Sequence, residues 1–233
     1  IAQVHRARLP DGREVVVKVR RPGIRPVIEA DLRLLQYAAR KIEAKFPDLR
    51  RFHPIGIVQQ FHTSLLGELD LAAECRHAER IAANLSGDAR VVVPAVYWPY
   101  TNERMNVQDF VDGIAVADAV ALEIAGLNRG RIARCGAQIV LKMMLDDGFF
   151  HADPHPGNVF VLRDGRIALI DFGMVGRLSP ARRAEVVSLL FGLVERDPER
   201  VTEVLLDWTG RADVEEGQLA IDVDAFIDRY HGV

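Results

Sequence analysis

The 233-residue chain carries only two cysteines, Cys75 and Cys135, and neither belongs to a Cys-x-x-Cys or paired Cys/His spacing. This excludes a disulfide framework and a cysteine-based zinc site, and it points to a reduced, cytoplasmic setting. No apolar run approaches the roughly 18 residues of a membrane-spanning helix. A surplus of either charge is also missing: 33 acidic against 30 basic residues give a formal charge of −3. No overall field therefore draws nucleic acid or an anionic membrane, and the local pairs Arg20-Arg21 and Arg182-Arg183 are expected to be solvated faces. Internal repeats and low-complexity tracts are absent. The first residues, Ile1-Ala-Gln-Val-His5, look like neither an initiating methionine nor a signal peptide. The chain is expected to be cut from a longer one, with any attachment to the inner face of a membrane made by parts outside it. What is abundant is apolar material, 49% of residues, enough for one large domain or two small lobes.

The most informative stretch is His151-Ala-Asp-Pro-His-Pro-Gly-Asn158, followed by Asp171-Phe172-Gly173. Pro154, Pro156 and Gly157 mark a loop between Asp153 and Asn158, and Val159 to Leu162 reads as a short buried strand. Asp164-Gly165 is a two-residue hairpin signal, and Arg166 to Ile170 returns as the second strand. Such a hairpin holds Asn158 at its entrance and Asp171 at its exit, so a carboxamide oxygen and a carboxylate converge on one hard cation of the magnesium type. Taken singly, each Asp or Asn is an ordinary turn cap. As a set they follow the order of kinase-type phosphoryl transfer, with Asp153 near the attacking hydroxyl and Asn158 and Asp171 on the metal.

The rest of the chain supplies a frame. Gln3 to Leu9 and Arg13 to Arg20 form a hairpin about Pro10-Asp11-Gly12, and Lys18 interrupts the apolar run of its second arm. Alone, such a lysine is best read as snorkelling from an exposed strand face. Within a kinase-like order, it reaches a nucleotide's phosphates. Ile24 to Phe46 has helical periodicity, with Ile28, Leu32, Leu35, Ala39 and Ile42 on one side, and a second long helix is expected from about Pro54 to Leu85. That helix carries Glu68, Asp70 and Glu74. Asp70 and Glu74 share a face, whereas Glu68 lies about 200° from Asp70 on the wheel. Either the helix starts near Glu68, or it bends there, or one carboxylate faces solvent. Val91 to Val93 and Val96 to Trp98 read as a strand interrupted by Pro94, with Met105 to Phe110 pairing beyond the Tyr100-Thr101-Asn102 turn. Asp112-Gly113 is expected to be a hinge. Asp118 to Ala125 is a short helix and Arg129 to Asp146 a long one. Only Met174 to Leu178 separates the Asp-Phe-Gly sequence from Ser179-Pro180, an N-cap followed by proline at the first helical position. With so short a segment, and no Ala-Pro-Glu after it, a platform for extended peptides is not expected; helices follow near Pro180 to Glu195 and Pro198 to Trp208.

These residues together resemble the UbiB/ADCK-type atypical kinase-like family. Ile1-Ala-Gln-Val-His-Arg-Ala7 looks like the end of that family's alanine-rich nucleotide loop, Val17-Lys18-Val19-Arg-Arg-Pro-Gly23 like its lysine strand, and Glu68-Leu-Asp70 like its Glu-x-Asp signature. His151 to Asn158 and Ile170-Asp-Phe-Gly173 resemble its catalytic loop and metal motif. The resemblance spans residues 1 to about 176. It implies an α+β, two-lobed protein-kinase-like fold, with a small strand-containing N-lobe holding two long helices (residues 1–111) and a mainly helical C-lobe (112–233). It places the family's Lys-x-Gly-Gln segment upstream of Ile1. It implies Lys18 and Asp153 as catalytic residues, Glu74 as the carboxylate paired with Lys18, and Lys18, Glu68, Asp70, Glu74, Asn158 and Asp171 around the nucleotide. Asn158 and Asp171 would hold magnesium, and His151 and His155 would brace the loop. The implied cofactors are ATP and Mg2+. The implied role is in ubiquinone or related isoprenoid-quinone biosynthesis, through ATP hydrolysis or phosphoryl transfer coupled to lipid intermediates, with those lipids or other quinone-pathway proteins as partners and no nucleic acid. Two alternatives stand beside it: a small-molecule phosphotransferase of the aminoglycoside or choline kinase type, which shares the His-x-Asp-x-x-x-x-Asn loop, and a noncatalytic scaffold. The Glu68-x-Asp70 segment and the Gln3-Val-His5 start favour the first reading.

Overall fold

The chain opens with two strands, β1 (Ala2–Arg8) and β2 (Glu14–Arg20), paired antiparallel from Ala2↔Arg20 to Arg8↔Glu14. Their turn works because Gly12 takes φ +90° and Asp11 Oδ1 accepts the Arg13 N–H at 3.1 Å, a local bond that fixes the reversal. The computed structural model describes residues 1–209 and 214–231. After Gly23, at φ +71°, comes helix α1 (Ile24–Lys45), whose buried positions are Ile28, Leu32 and Ala39. Leu35 and Ile42, expected on the same stripe, are 43% and 37% exposed.

The single helix expected over Pro54 to Leu85 is two helices, α2 (Pro54–Gly67) and α3 (Leu71–Asn84). The break has a local cause. Asp70 leaves the helical region at φ −99°, ψ 91°, and its carboxylate accepts the N–H groups of Ala72 and Ala73 at 3.0 and 3.1 Å. It is thus the N-cap of α3, satisfying donors that a helix start would otherwise orphan. Leu69, 2% exposed, packs against Ile28 and Leu32, and its carbonyl accepts Arg20 Nη1 at 2.6 Å. Arg20 is therefore an anchor rather than a solvated charge.

The chain continues through β3 (Val91–Val92), β4 (Met105–Asp109), β5 (Ile114–Ala115), α4 (Ala119–Ile124) and α5 (Arg129–Leu141). Val96 to Trp98 does not extend β3: Val96 makes only a bridge to Gln108, and Trp98–Tyr100 is a short 3-10 turn, as Pro94 and Pro99 would dictate. The helix expected to Asp146 is α-helical only to Leu141, after which Lys142–Asp147 widens into a π turn closed by Gly148 at φ +61°. Then come β6 (Phe149–His151), β7 (Val159–Val161), β8 (Ile167–Leu169) and β9 (Val175–Arg177). One sheet has the order β1-β2-β4, and a second has β3-β8-β7-β5 with β3 parallel to β8. The second is buried through Val161, Ile167, Ala168 and Leu169.

Two compact units result. The first comprises Ile1–Val140 with His151–Val175, and the second comprises Leu141–Phe150 with the described residues from Gly176 on. The boundary expected at 111/112 does not coincide with this division, because it falls between β4 and β5 inside the first unit. In the second unit, Ser179 caps α6 (Pro180–Glu195) by accepting the Arg182 N–H, and α7 (Pro198–Thr209) and α8 (Glu216–His231) follow. Val201, Val223 and Ile227 form its core with Leu189, Leu193, Leu205 and Leu219 around them. Arg183 donates to the carbonyls of Leu145 and Asp146, so of the pair Arg182-Arg183 only Arg182 is a solvated face. Helix α8 lies outside the expected elements, although Leu219, Val223 and Ile227 recur at four-residue intervals.

Candidate functional site

All the residues singled out from the sequence line one cavity of about 400 Å3 in the first unit: Lys18, Glu68, Asp70, Glu74, Asp153, Asn158 and Asp171. Strand β2 delivers Lys18, whose Nζ lies 3.0 Å from Glu74 Oε2 and 3.3 Å from Asp171 Oδ2. Glu74 is only 6% exposed. Burial works against the charge on Lys18, but Glu74 and Asp171 outweigh it and raise its pKa. Burial likewise raises the pKa of Glu74, with Lys18 pulling the other way. In the ion pair each charge has its counter-charge within hydrogen-bond reach, the condition for keeping both in a partly dry site.

The hairpin β7–β8 works as its spacing predicts. The Ile170 N–H donates to the Asn158 carbonyl at 3.0 Å, so the entrance and exit of the hairpin are bonded directly. Asn158 is 7% exposed, and its Nδ2 donates to the Asp153 carbonyl at 3.1 Å. That bond orients the carboxamide and leaves Oδ1 as an acceptor. Asp171 sits at φ +60°, a left-handed conformation that costs a non-glycine residue about 1 kcal/mol or more and that Asp tolerates better than most. The strained turn projects its carboxylate toward Lys18 while Phe172, 1% exposed, is driven into the core. One carboxylate and one carboxamide oxygen are the hard donors that magnesium takes alongside phosphate and water. Asn158 and Asp171 therefore fit such an ion, and among the described residues no group of three or more His, Cys, Asp or Glu is arranged as a metal cage.

Histidine braces this loop. His151 is 1% exposed; its Nε2–H donates to the Ile170 carbonyl at 3.0 Å, and its Nδ1 accepts the Asp153 N–H at 3.2 Å. Only a neutral ring can do both, and burial lowers its pKa accordingly. His155 Nδ1 accepts the Gly157 N–H at 2.9 Å, and a Cβ at position 157 would stand 2.6 Å from His155 Cε1, so a side chain there would push the His155 ring from this position. Asp153 keeps its carboxylate 47% exposed to the cavity, with His155 Nε2 at 3.7 Å.

Glu68 and Asp70 separate in role. Glu68 is held at the end of α2, where burial and then the charge of Asp171 raise its pKa. Asp70 lines the cavity, but its oxygens are engaged by the Ala72 and Ala73 N–H groups and by Arg76 at 3.1 Å. Two residues escape sequence reasoning. His77 lines the cavity and donates from Nδ1 to the Phe172 carbonyl at 3.1 Å; its spacing after Asp70 and Glu74 places all three on one face of α3, a usable signal. Asn106 stands opposite Lys18 in the β2–β4 ladder, 1% exposed, with neither carboxamide atom hydrogen-bonded. Its signal is a carboxamide inside an apolar strand.

A lysine–glutamate pair, a braced loop carrying an Asp and an Asn, and an Asp-Phe-Gly turn define a kinase-like site. Comparison with known proteins narrows the class: residues 1–205 match the family model described as the ABC1 atypical kinase-like domain, and the chain belongs to that family. It is 41% identical over 204 residues, 87% of this chain and 36% of the relative, to the uncharacterized protein slr1919 of Synechocystis. It is 38% identical to the probable protein kinase UbiB of Marinobacter nauticus, over 88% of this chain and 38% of the relative, and equally to that of Aliivibrio fischeri (strain MJ11), over 95% and 42%. The chain thus spans about two-fifths of the length of these curated relatives. Among solved structures, the Rv3197–erythromycin complex from Mycobacterium tuberculosis matches with a TM-score of 0.69 at 25% identity, covering 88% of this chain and 51% of that one.

Proposed function

We propose that this domain binds ATP with magnesium and directs its γ-phosphoryl group to water or to a hydroxyl, as an atypical kinase or ATPase of the UbiB type acting in isoprenoid-quinone biosynthesis. The observation that carries the reading is the junction at Lys18, whose Nζ lies within 3.3 Å of both Glu74 and Asp171. In this reading Lys18 hydrogen-bonds the phosphate oxygens and is kept charged and aimed by Glu74. Asn158 and Asp171 would hold the ion, which supplies charge neutralisation at the phosphates when bound. Asp153, anchored through its backbone by His151 and Asn158 yet open at its carboxylate, orients the nucleophile and accepts its proton. Glu68 shapes the phosphate end of the cavity, and His77 holds the Phe172 backbone in register. The quinone pathway, and lipid intermediates or pathway proteins as partners, rest on the likeness to relatives named UbiB. Attachment to the membrane's inner face belongs to the same reading; among the described residues no helix is long and apolar enough to cross a membrane.

The test is magnesium-dependent ATP binding and hydrolysis, measured with and without phenolic isoprenoid lipids and compared with Asp171→Asn. Hydrolysis that rises with the lipid and disappears in the variant supports the proposal. Absence of nucleotide binding under every condition sinks it and leaves a scaffold. A second reading, transfer to a small-molecule hydroxyl, is favoured by the structural likeness to Rv3197, solved with erythromycin. Phosphate appearing on an amino-sugar or amino-alcohol, with no response to lipid, would put that reading first.

A further inference from the structure

A separate cavity of the first unit, about 550 Å3 in volume, has the opposite lining. It opens where the tip of the β7–β8 hairpin meets the start of α5, and five arginines border it: Arg90, Arg131, Arg134, Arg163 and Arg166, of which Arg163 and Arg166 also border an adjoining cavity lined by Glu14, Asp109 and Asp112. They come from three distant stretches of sequence. The parallel pairing of β3 with β8 brings two of them together, since the Ile167 N–H donates to the Arg90 carbonyl at 2.8 Å. Only one carboxylate, Asp164, lines the same space.

Two of the five guanidinium groups are partly neutralised. Arg166 Nε lies 2.7 Å from Asp164 Oδ2, and Arg90 Nη2 lies 2.7 Å from Asp88 Oδ2. Arg90 also donates from Nη1 to Gln138 Oε1 at 2.6 Å, which pins it against α5. Arg131, Arg134 and Arg163 have no carboxylate partner among the described residues. Guanidinium charges without a carboxylate partner gather positive potential around one concavity in a chain whose formal charge is −3, and an anion there is attracted to it even though the three groups are exposed to solvent. Guanidinium is planar, weakly hydrated and forked, the geometry that takes two phosphate oxygens at once. The volume falls in the roughly 300–1,000 Å3 range of small-molecule sites. Asn128 Oδ1 caps the Arg131 N–H at 2.9 Å, so the positive end of α5 adds to the same field.

We propose that this cavity binds a phosphate-bearing anion, held chiefly by Arg131 and Arg134, three residues apart on α5, with a diphosphate as the probe that offers oxygens to both. A soluble diphosphate and a phospholipid headgroup share that chemistry. Unlike the first cavity, this one needs no metal to receive an anion.

Cys135 lines the same cavity and is partly exposed, whereas Cys75 is 0% exposed. The rate of maleimide labelling therefore reports occupancy at this place. In magnesium-free buffer, labelling of the full chain is followed against inorganic pyrophosphate and, in a parallel arm, against phosphatidylglycerol or phosphatidylcholine vesicles. Each variant is read as the ratio of rates with and without added anion, because Arg134 adjoins the thiol. The expected result is saturable protection by pyrophosphate, with its midpoint rising roughly tenfold for each of Arg131→Gln and Arg134→Gln. Protection by phosphatidylglycerol alone, lost in the same variants, assigns the phosphate to a lipid. Protection by neither, equal protection once both arginines are gone, or protection by an acidic peptide but not by pyrophosphate overturns the proposal.

Discussion

The first unit holds two cavities that treat negative charge in opposite ways. Around Lys18 stand the carboxylates of Glu68, Asp70, Glu74, Asp153 and Asp171; around Cys135 stand five arginines and one aspartate. Burial raises the pKa of both Glu68 and Glu74, and Asp171 raises each further, the mark of a place already crowded with negative charge. A bare polyanion is disfavoured there unless a cation enters with it. In the arginine cavity the protein itself supplies the counter-charge. The near-neutral balance of the whole chain conceals both, because what a ligand meets is the local arrangement of charge.

The comparison breaks most sharply on metal removal. Chelating magnesium, or Asp171→Asn, is expected to lower ATP hydrolysis by at least about 100-fold while leaving pyrophosphate protection of Cys135 intact under chelation; a phosphate-release assay, a calorimetric titration with ATP and the labelling rate together check it. If both sites lost their ligands on chelation, the two cavities would not differ in their need for a metal. Next in size is the Lys18–Glu74 pair, with side chains 19% and 6% exposed. Lys18→Met should abolish hydrolysis and also strand Glu74 as a buried, unpaired carboxylate, at a cost of about 3 kcal/mol. The double variant Lys18→Met/Glu74→Gln should recover most of that stability and none of the activity. Urea unfolding of the three proteins separates the two effects, and equal stability of the single and double variants would show that the pair is not buried in solution.

How much of this was legible in sequence depends on how local the cause is. The hairpin from Val159 to Leu169 announces itself through Asp164-Gly165, and the convergence of Asn158 with Asp171 follows from strand pairing alone. The Lys18–Glu74 pair joins residues far apart in sequence, and only the family resemblance brings them together. The Pro54 to Leu85 stretch misleads because apolar positions recur through both helices. The opposed placing of Glu68 and Asp70 on the wheel leaves a start or bend near Glu68 open, which is where the break falls, and the signal that decides it is Asp70 as the cap that begins α3. The arginine cavity leaves no trace in any window of sequence, since β3–β8 pairing and the first turns of α5 assemble it. The cap itself is a smaller test of the same contrast, because it gives one cavity-lining carboxylate a structural task. Asp70→Ala should cost about 1.5 kcal/mol and Asp70→Asn far less. A cost as large for Asn as for Ala in thermal unfolding would instead point to the charge, through Arg76 or a bound cation.

The smallest effect concerns the histidine beneath the acidic cavity. His151 ties the Ile170 carbonyl and the Asp153 N–H to one ring, and it can do so only when neutral. Burial lowers its pKa below the ordinary 6.5, although the Ile170 carbonyl and the charges of Asp153 and Asp171 pull upward. An unfolded chain therefore takes up this proton more readily than the folded one. The stability that His151 contributes is fully present above pH 6.5 and is lost as pH falls below it. Between pH 7.5 and 6 the loss attributable to this one group should stay under about 1 kcal/mol, seen as a shallow fall in Tm. His151→Gln keeps a donor and an acceptor but does not titrate. It should start from a lower Tm and show a flatter slope over that interval, and an unchanged slope would mean that the acid sensitivity lies with another histidine.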